Sequence, residues 1–521
     1  MSFRSVSLFR RTSIKSINSS RCFAAVAPEV KDEGNDTEEE RKPPPPAEPL
    51  KRPEGMVSKT YNRSTYPYTP IKNMVHQEFL NEGDVDGMGA RLNDYYKMSD
   101  MVRQLKTPAE RIEFVNPYER PWKRFERKWH RAFHPALGSP RRAWNINTVP
   151  KYFDSLDFYK YITKTRLITN SKPFDNYYSG LVPPTQNFEK RVNESLLSFF
   201  NGSEPKDEKV VTEFLRTTLN DAELSIAHNN DSLRKYRSSF NERCESFWIR
   251  GGFRHMYDQK KIWDDVGEVN KGRRLGPRFI GDDRRRLGEV AFVMRDKIAA
   301  QVRSKTKLPS IASFNQTEFI EAPVFEETNL EENVIFSPLI YNMSPDIEPL
   351  WQCPGYEPDS KEPFKFGRLG IKNVFELKNN FKLWKIPVDS EEYIQTLKDS
   401  YASTAISSLF NWLNGQAHCL GHTQYNDIEE PLVSQIILSD GKTFCFALGQ
   451  LNTIAINIEM DGFLNRRSNF CLVDGPYNLY DEYDVETQQY KHVNESGQLV
   501  DGLNPHVLSR YLQMIMIGRE T

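Results

Sequence analysis

Apolar residues recur along this chain at helical and strand periods in separable stretches. Trp122, Phe125, Trp129 and Phe133 fall three, four and four residues apart, which puts them on one face of a helix over 121–133. Pro135 then stops it. Phe153, Leu156, Tyr159, Tyr161 and Ile162 predict a second helix over 150–169. Residues 186–200 and 206–228 predict two more, the latter carrying Phe214, Leu215, Leu219, Ala222 and Leu224. Residues 245–253 (ESFWIRGGF) read as a strand closing in a Gly251-Gly252 turn, followed by a loop-rich basic region to about Lys307.

The pattern is most regular near the C-terminus. Ser390 precedes Glu391 and Glu392 as an N-cap with first-turn acids. Tyr393, Leu397, Tyr401, Ala405, Leu409, Leu413 and Ala417 then recur at close to helical period, although Asn414 and Gly415 weaken the last turns. Residues 432–438 and 443–451 are strand-like runs joined at Asp440-Gly441, a strong hairpin signal. Another strand is expected over 470–473. Asn504-Pro505 opens a final helix burying Val507, Leu508, Tyr511, Leu512 and Ile515, with Gly518 past its end.

These elements predict an α+β protein: a helical, basic N-terminal part with an extended arm, and a C-terminal α+β domain with an antiparallel hairpin sheet. The expected divisions are a mitochondrial transit peptide over 1–23 and an acidic, proline-rich disordered linker over 24–60. An extended arm and basic helix over 61–149 follow, then a helical, basic, RNA-facing region over 150–307 and an acidic α+β domain over 308–521. Residues 60–94 interleave Tyr and Pro without period, as expected of an arm that lies against something else. No repeat of fixed period is present.

Charge sharpens the division. Residues 1–307 carry 56 Lys+Arg against 41 Asp+Glu, while 308–521 carry 14 against 30. A basic part beside an acidic part suggests a polyanion partner at one end only. At the start, Arg4, Arg10, Arg11, Lys15 and Arg21 stand among serines without an acid. Val6, Leu8, Phe9, Ile14 and Ile17 give a helix there an apolar side, the composition of a mitochondrial presequence. Cleavage is expected after Phe23. No run approaches the roughly 20 apolar residues of a membrane span. Six scattered cysteines without a CxxC pair suit a reducing interior.

No nucleotide-binding, zinc-protease, serine-hydrolase or calcium-loop fingerprint occurs. His418 and His422, four apart, are the best metal pair, but no further Cys/His cluster lies nearby and Gly421 marks a helix end there. The expectation is therefore no catalytic site, no metal and no cofactor.

The positive signals are basic. The first segment carries Arg120, Lys123, Arg124, Arg127, Lys128, Arg131, Arg141 and Arg142 against one acid, Glu126. Lys and Arg there are expected to neutralise phosphates and release counterions, while Trp122 and Trp129 at helical spacing are read as core residues, with stacking on unpaired bases as the alternative. The second segment, 271–307, holds 12 basic residues against 4 acids and centres on Lys271, Arg273, Arg274, Arg278, Arg284, Arg285 and Arg286. Arginine forks grip phosphate in a bidentate way and the interspersed glycines permit close backbone approach. Arg250, beside the Gly251-Gly252 turn, is added as an RNA-facing cation. Asp282 and Asp283 interrupt the second run, so part of it is expected to be paired internally.

Several segments resemble one mitochondrial ribosomal protein family. They are Ala405-Ile-Ser-Ser-Leu-Phe-Asn-Trp412, Pro431-Leu-Val-Ser-Gln-Ile-Ile-Leu-Ser-Asp-Gly441 and Gln450-Leu-Asn-Thr453 after Phe444 and Phe446. The family joins small-subunit protein thirty, also called programmed cell death protein nine, to large-subunit protein thirty-seven. Asp157-Phe-Tyr-Lys-Tyr-Ile-Thr-Lys-Thr165 and Phe247-Trp-Ile-Arg-Gly251 look more like the first member. The likeness covers roughly residues 150–515 and consists of packing and turn positions. It implies a structural, non-enzymatic constituent of the large subunit in the mitochondrial matrix. The implied partners are mitochondrial rRNA and other ribosomal proteins, the thirty-seven-type relative among them. The family offers no catalytic residue to carry over. A free matrix RNA-binding factor is the alternative from the same charge features.

Overall fold

The computed structural model describes residues 99–116, 143–227, 236–251, 290–325, 341–346, 348–387, 390–457, 465–494 and 496–517. The chain divides into Met1–Glu54 and Gly55–Thr521, and every described residue belongs to the second unit.

The unit is built around one helix, α8 (Glu391–Cys419). Ser390 caps it by accepting from the Tyr393 N–H, as its position predicts. From Ser400 to Cys419 every residue is buried, because a sheet lies on each side. On one side is a five-stranded sheet in the order β7 (Ser344–Asp346), β1 (Ala143–Asn145), β5 (Val290–Asp296), β4 (Cys244–Arg250) and β8 (Cys353–Pro354). On the other is a seven-stranded mixed sheet. Its order is β2 (Thr165–Ile168), β12 (Asn469–Asn478), β11 (Thr443–Leu451), β10 (Leu432–Ser439), β9 (Phe366–Asn373), β6 (Ile298–Ser304) and β3 (Tyr236–Phe240). The α+β class expected from the pattern is the class observed.

Alternation along β10 and β11 explains why every residue of both except Thr443 is buried. Ile436, Leu438, Cys445 and Ala447 face α8 and join a core with Trp248, Phe292, Leu409 and Leu413. Val433, Ile437, Phe444, Phe446 and Leu448 face the opposite way. There they meet α4 (Thr185–Phe200), α5 (Glu208–Ala227) and α9 (Pro505–Met516) through Val192, Phe214, Leu219, Leu508 and Tyr511. The layers run sheet, helix, sheet, helices.

Gly367 and Gly370 of β9 make room for the Trp412 ring: a Cβ on Gly367 would lie 2.5 Å from it. Trp412 is fully buried and its Nε1 donates to the Pro354 carbonyl at 3.0 Å. The chain passes from the five-stranded to the seven-stranded sheet through Lys297 alone, between β5 and β6. At that crossing Lys372 of β9 donates to Asp296 at 2.6 Å and to Ser408 Oγ of α8 at 2.8 Å, so both sheets and the central helix share one buried ion pair.

Three expectations change. The helix over 150–169 is shorter, α2 (Leu156–Thr163), because Lys164 turns into the left-handed region at φ 49°. Residues 165–168 become β2, paired in parallel with β12, so strand partners override local periodicity. The loop-rich region to Lys307 contains β5 and β6, two seven-residue strands. The division expected at 307/308 does not divide the fold, since both sheets take strands from either side of it. Also present are the helices α1 (Pro108–Val115), α3 (Ser171–Tyr177), α6 (Thr317–Ile320) and α7 (Glu376–Trp384). A helical stretch over 99–104 and a small sheet of β13 (Glu482–Asp484), β14 (Gln489–Val493) and β15 (Leu499–Asp501) are also described. Among the described residues no helix is long and apolar enough to cross a membrane.

Candidate functional site

Fifteen of the sixteen expected RNA-facing cations lie outside the described residues: Arg120, Lys123, Arg124, Arg127, Lys128, Arg131, Arg141 and Arg142, and Lys271, Arg273, Arg274, Arg278, Arg284, Arg285 and Arg286. The expected helix over 121–133 and the arm over 60–94 also lie outside them.

What the structure does describe is where those segments join the body. Residues 117–142 lead into β1 at Ala143, and residues 252–289 leave β4 at Arg250-Gly251 and re-enter at Val290 of β5. Ala143 and Ala291 are register partners in adjacent parallel strands, and Arg250 faces Val290 across the β4–β5 ladder. Neighbouring strands are about 4.8 Å apart. Two basic segments distant in sequence are thus rooted at the same end of the five-stranded sheet. Gly251 also donates to the Ile456 carbonyl at 3.1 Å, bringing the loop after β11 to that end.

Arg250 itself is interior and leaves the RNA-facing set. It is 1% exposed; its Nε donates to the Tyr161 carbonyl at 2.8 Å and its guanidinium lies 4.4 Å from the Tyr161 ring centre. The reason is that β4 is covered on both faces, so the rim position beside a Gly-Gly turn is not a solvent position. Three cations in the later half of the second basic run are also paired or buried within the body, while Lys297 and Lys305 stay exposed. Arg295 pairs with Glu245 at 3.4 Å, Glu348 at 3.6 Å and also Asp346. Arg303 is 1% exposed over Tyr356, and Lys307 pairs with Glu430. Internal pairing of part of the run was expected, though from the aspartates at 282 and 283 and not from these partners.

His418 and His422 do not share a helix face. Gly421, at φ +98°, ends α8 with its N–H on the His418 carbonyl and the His422 N–H on the Ala417 carbonyl. Carbonyls only accept, so the buried His418 Nδ1 donates to Asn414 O at 2.9 Å. Burial holds its pKa down at about 4, leaving it neutral. Among the described residues no three His, Cys, Asp or Glu side chains are grouped to hold a metal.

An open cleft of about 850 Å³ lies between α3 and α6, lined by Pro173, Tyr177, Pro309, Ile311, Gln316 and Phe319. The lining also carries the Ser310 and Thr317 hydroxyls and one carboxyl, Glu318, with no His, Lys or Arg in it. The five described cysteines are buried and unpaired, and burial raises their thiol pKa values. None is poised as a thiolate.

A layered α+β body with two long basic segments joined at one sheet end has the build of a structural ribosomal protein. The chain belongs to the family described as mitochondrial 28S ribosomal protein S30 (PDCD9), whose model matches residues 21–518. It is therefore a mitochondrial ribosomal protein, of a family whose role is structural.

Proposed function

We propose that the chain is a structural constituent of the mitochondrial large ribosomal subunit in the matrix, supporting translation by binding rRNA and neighbouring ribosomal proteins. The observation that carries the RNA-binding part is the common root of the two basic segments at Ala143, Arg250 and Val290. Arg120 to Arg142 and Lys271 to Arg286 belong to the two segments joined to the body at that rim, and each phosphate their cations neutralise releases counterions. Such contacts position the protein without reading base sequence. The large-subunit assignment, with the thirty-seven-type relative as a neighbour, follows from the resemblance in the packing segments 405–412 and 431–453. The leading basic, acid-free residues serve matrix import.

Gradient sedimentation of a mitochondrial lysate tests the proposal. The chain is expected to co-migrate with large-subunit markers and to stay there at moderate salt. Migration with small-subunit markers would overturn the subunit assignment, and a peak near the top of the gradient would favour a free RNA-binding factor.

A further inference from the structure

The sheet β13–β14–β15 turns one face inward and leaves the other uncovered by the described residues. Inward, the Tyr483 and Tyr490 rings lie 4.9 Å apart, and the Tyr490 hydroxyl donates to the Leu196 carbonyl of α4 at 3.3 Å. Gly202 comes so close that a Cβ on it would meet the Tyr483 ring at 2.2 Å. Side chains alternate along a strand, so the neighbours of these tyrosines point out. The register sets Glu482, Lys491 and Asp501 in one row across the three strands, and Val493 opposite Leu499. Val493 and Leu499 are 46% and 44% exposed, and Val485 in the connecting turn is 77% exposed. Aliphatic residues this open, paired on one sheet face, are a contact surface awaiting cover.

Charge narrows what covers it. Residues 481–501 hold six acids and a single Lys or Arg, Lys491. That lysine is already taken up by the sheet, 2.9 Å from Asp484 and 3.7 Å from Asp501. Its hydrogen bond, with those from the Glu486 and Thr487 N–H groups, keeps the Asp484 carboxyl well below the usual carboxylate range. Glu482 and Glu486 remain outward and exposed. A nucleic-acid backbone is repelled by such a face, whereas a chain with both cations and aliphatic side chains complements both of its properties.

We propose that this outward face docks an extended, Lys/Arg-bearing segment of a neighbouring protein, with Val493 and Leu499 as apolar anchors and Glu482, Glu486 and Asp501 as the anionic rim. The inference rests on the ribosomal reading and adds the chemistry of one protein neighbour. RNA then meets the basic segments and protein meets this sheet.

A photo-crosslinking residue at Val493 of the full-length chain, activated in gradient-purified particles, tests it. The expected product is an adduct to a peptide of another protein with net positive charge. An RNA adduct, a neutral or acidic peptide, or no adduct in particles that contain the chain overturns the docking inference alone. Absence of the chain from particles overturns the ribosomal reading and the inference with it. Adding Glu482→Lys and Glu486→Lys is expected to cut the adduct yield about tenfold; an unchanged yield also overturns it.

Discussion

At the scale of single residues, close packing and burial set the consequences of change. Gly367 has no room for a methyl group, since its Cβ would sit 2.5 Å from Trp412 and 2.6 Å from Gln416. Gly367→Ala should therefore cost about 1–3 kcal/mol, the range for overpacking a dense core, read as a lower denaturation midpoint at unchanged slope. An unaltered midpoint would show that Trp412 yields freely. His418 makes stability depend on pH. Its folded pKa, about 4, lies below the ordinary 6.5 because burial disfavours the cation. Between those values the unfolded chain takes up the proton first, so stability is complete above pH 6.5 and falls as pH drops towards 4. The loss approaches about 3 kcal/mol. His418→Gln should flatten that part of the pH–stability curve; an identical slope would assign the effect elsewhere. Arg250 shows the limit of reading residues singly, because a cation at a predicted turn looks solvated until the layers over β4 are known.

At the scale of elements, α8 is marked in the sequence by its cap and period, and α4, α5, α9 and the β10–β11 hairpin are equally plain. Their local signals agree with their tertiary roles. The strands β5 and β6 were hidden by the charges that frame them, although Val290 to Met294 is an unbroken apolar run of the kind a buried strand shows. The strand β2 was hidden because Thr165 to Ile168 continues the helical period and becomes a strand only through β12. Helix α8 also divides along its length, mostly open in its first turns and wholly buried from Ser400 onward. Ser390→Ala should remove about 1 kcal/mol of capping and speed amide exchange over 391–397, with 401–419 staying protected. Faster exchange along the whole helix would mean that its burial does not hold it independently of the cap.

At the scale of the whole molecule, charge and architecture follow different maps. The basic-to-acidic change near residue 307 suggested a boundary, but the seven-stranded sheet joins β2, β3 and β6 to β9–β12 across it. Charge reports the surface, and strand pairing reports the fold. Separate fragments 1–307 and 308–521 should therefore each lack a cooperative melting transition. A sharp transition in 308–521 alone would restore the boundary. The candidate site was legible as composition only: its segments stand out as basic runs, while their shared root depends on pairings far apart in sequence. Replacing Arg284, Arg285 and Arg286 with Glu should reduce incorporation into particles and leave the melting of the body unchanged, because none of the three belongs to the body's described strands or helices. Undiminished incorporation would make that run ordinary solvated surface.

The pairing of Thr165 with Asn469 carries a consequence in time. A strand synthesised in the first third of the chain cannot find its partner until the last tenth has arrived, and the helix that separates the two sheets is itself late. Contacts of such long reach form slowly, and the waiting strands leave unpaired edges open to wrong partners. Closing the seven-stranded sheet thus waits on β12, and a chain cut before Asn469 is expected to leave the edge of β2 open and to aggregate.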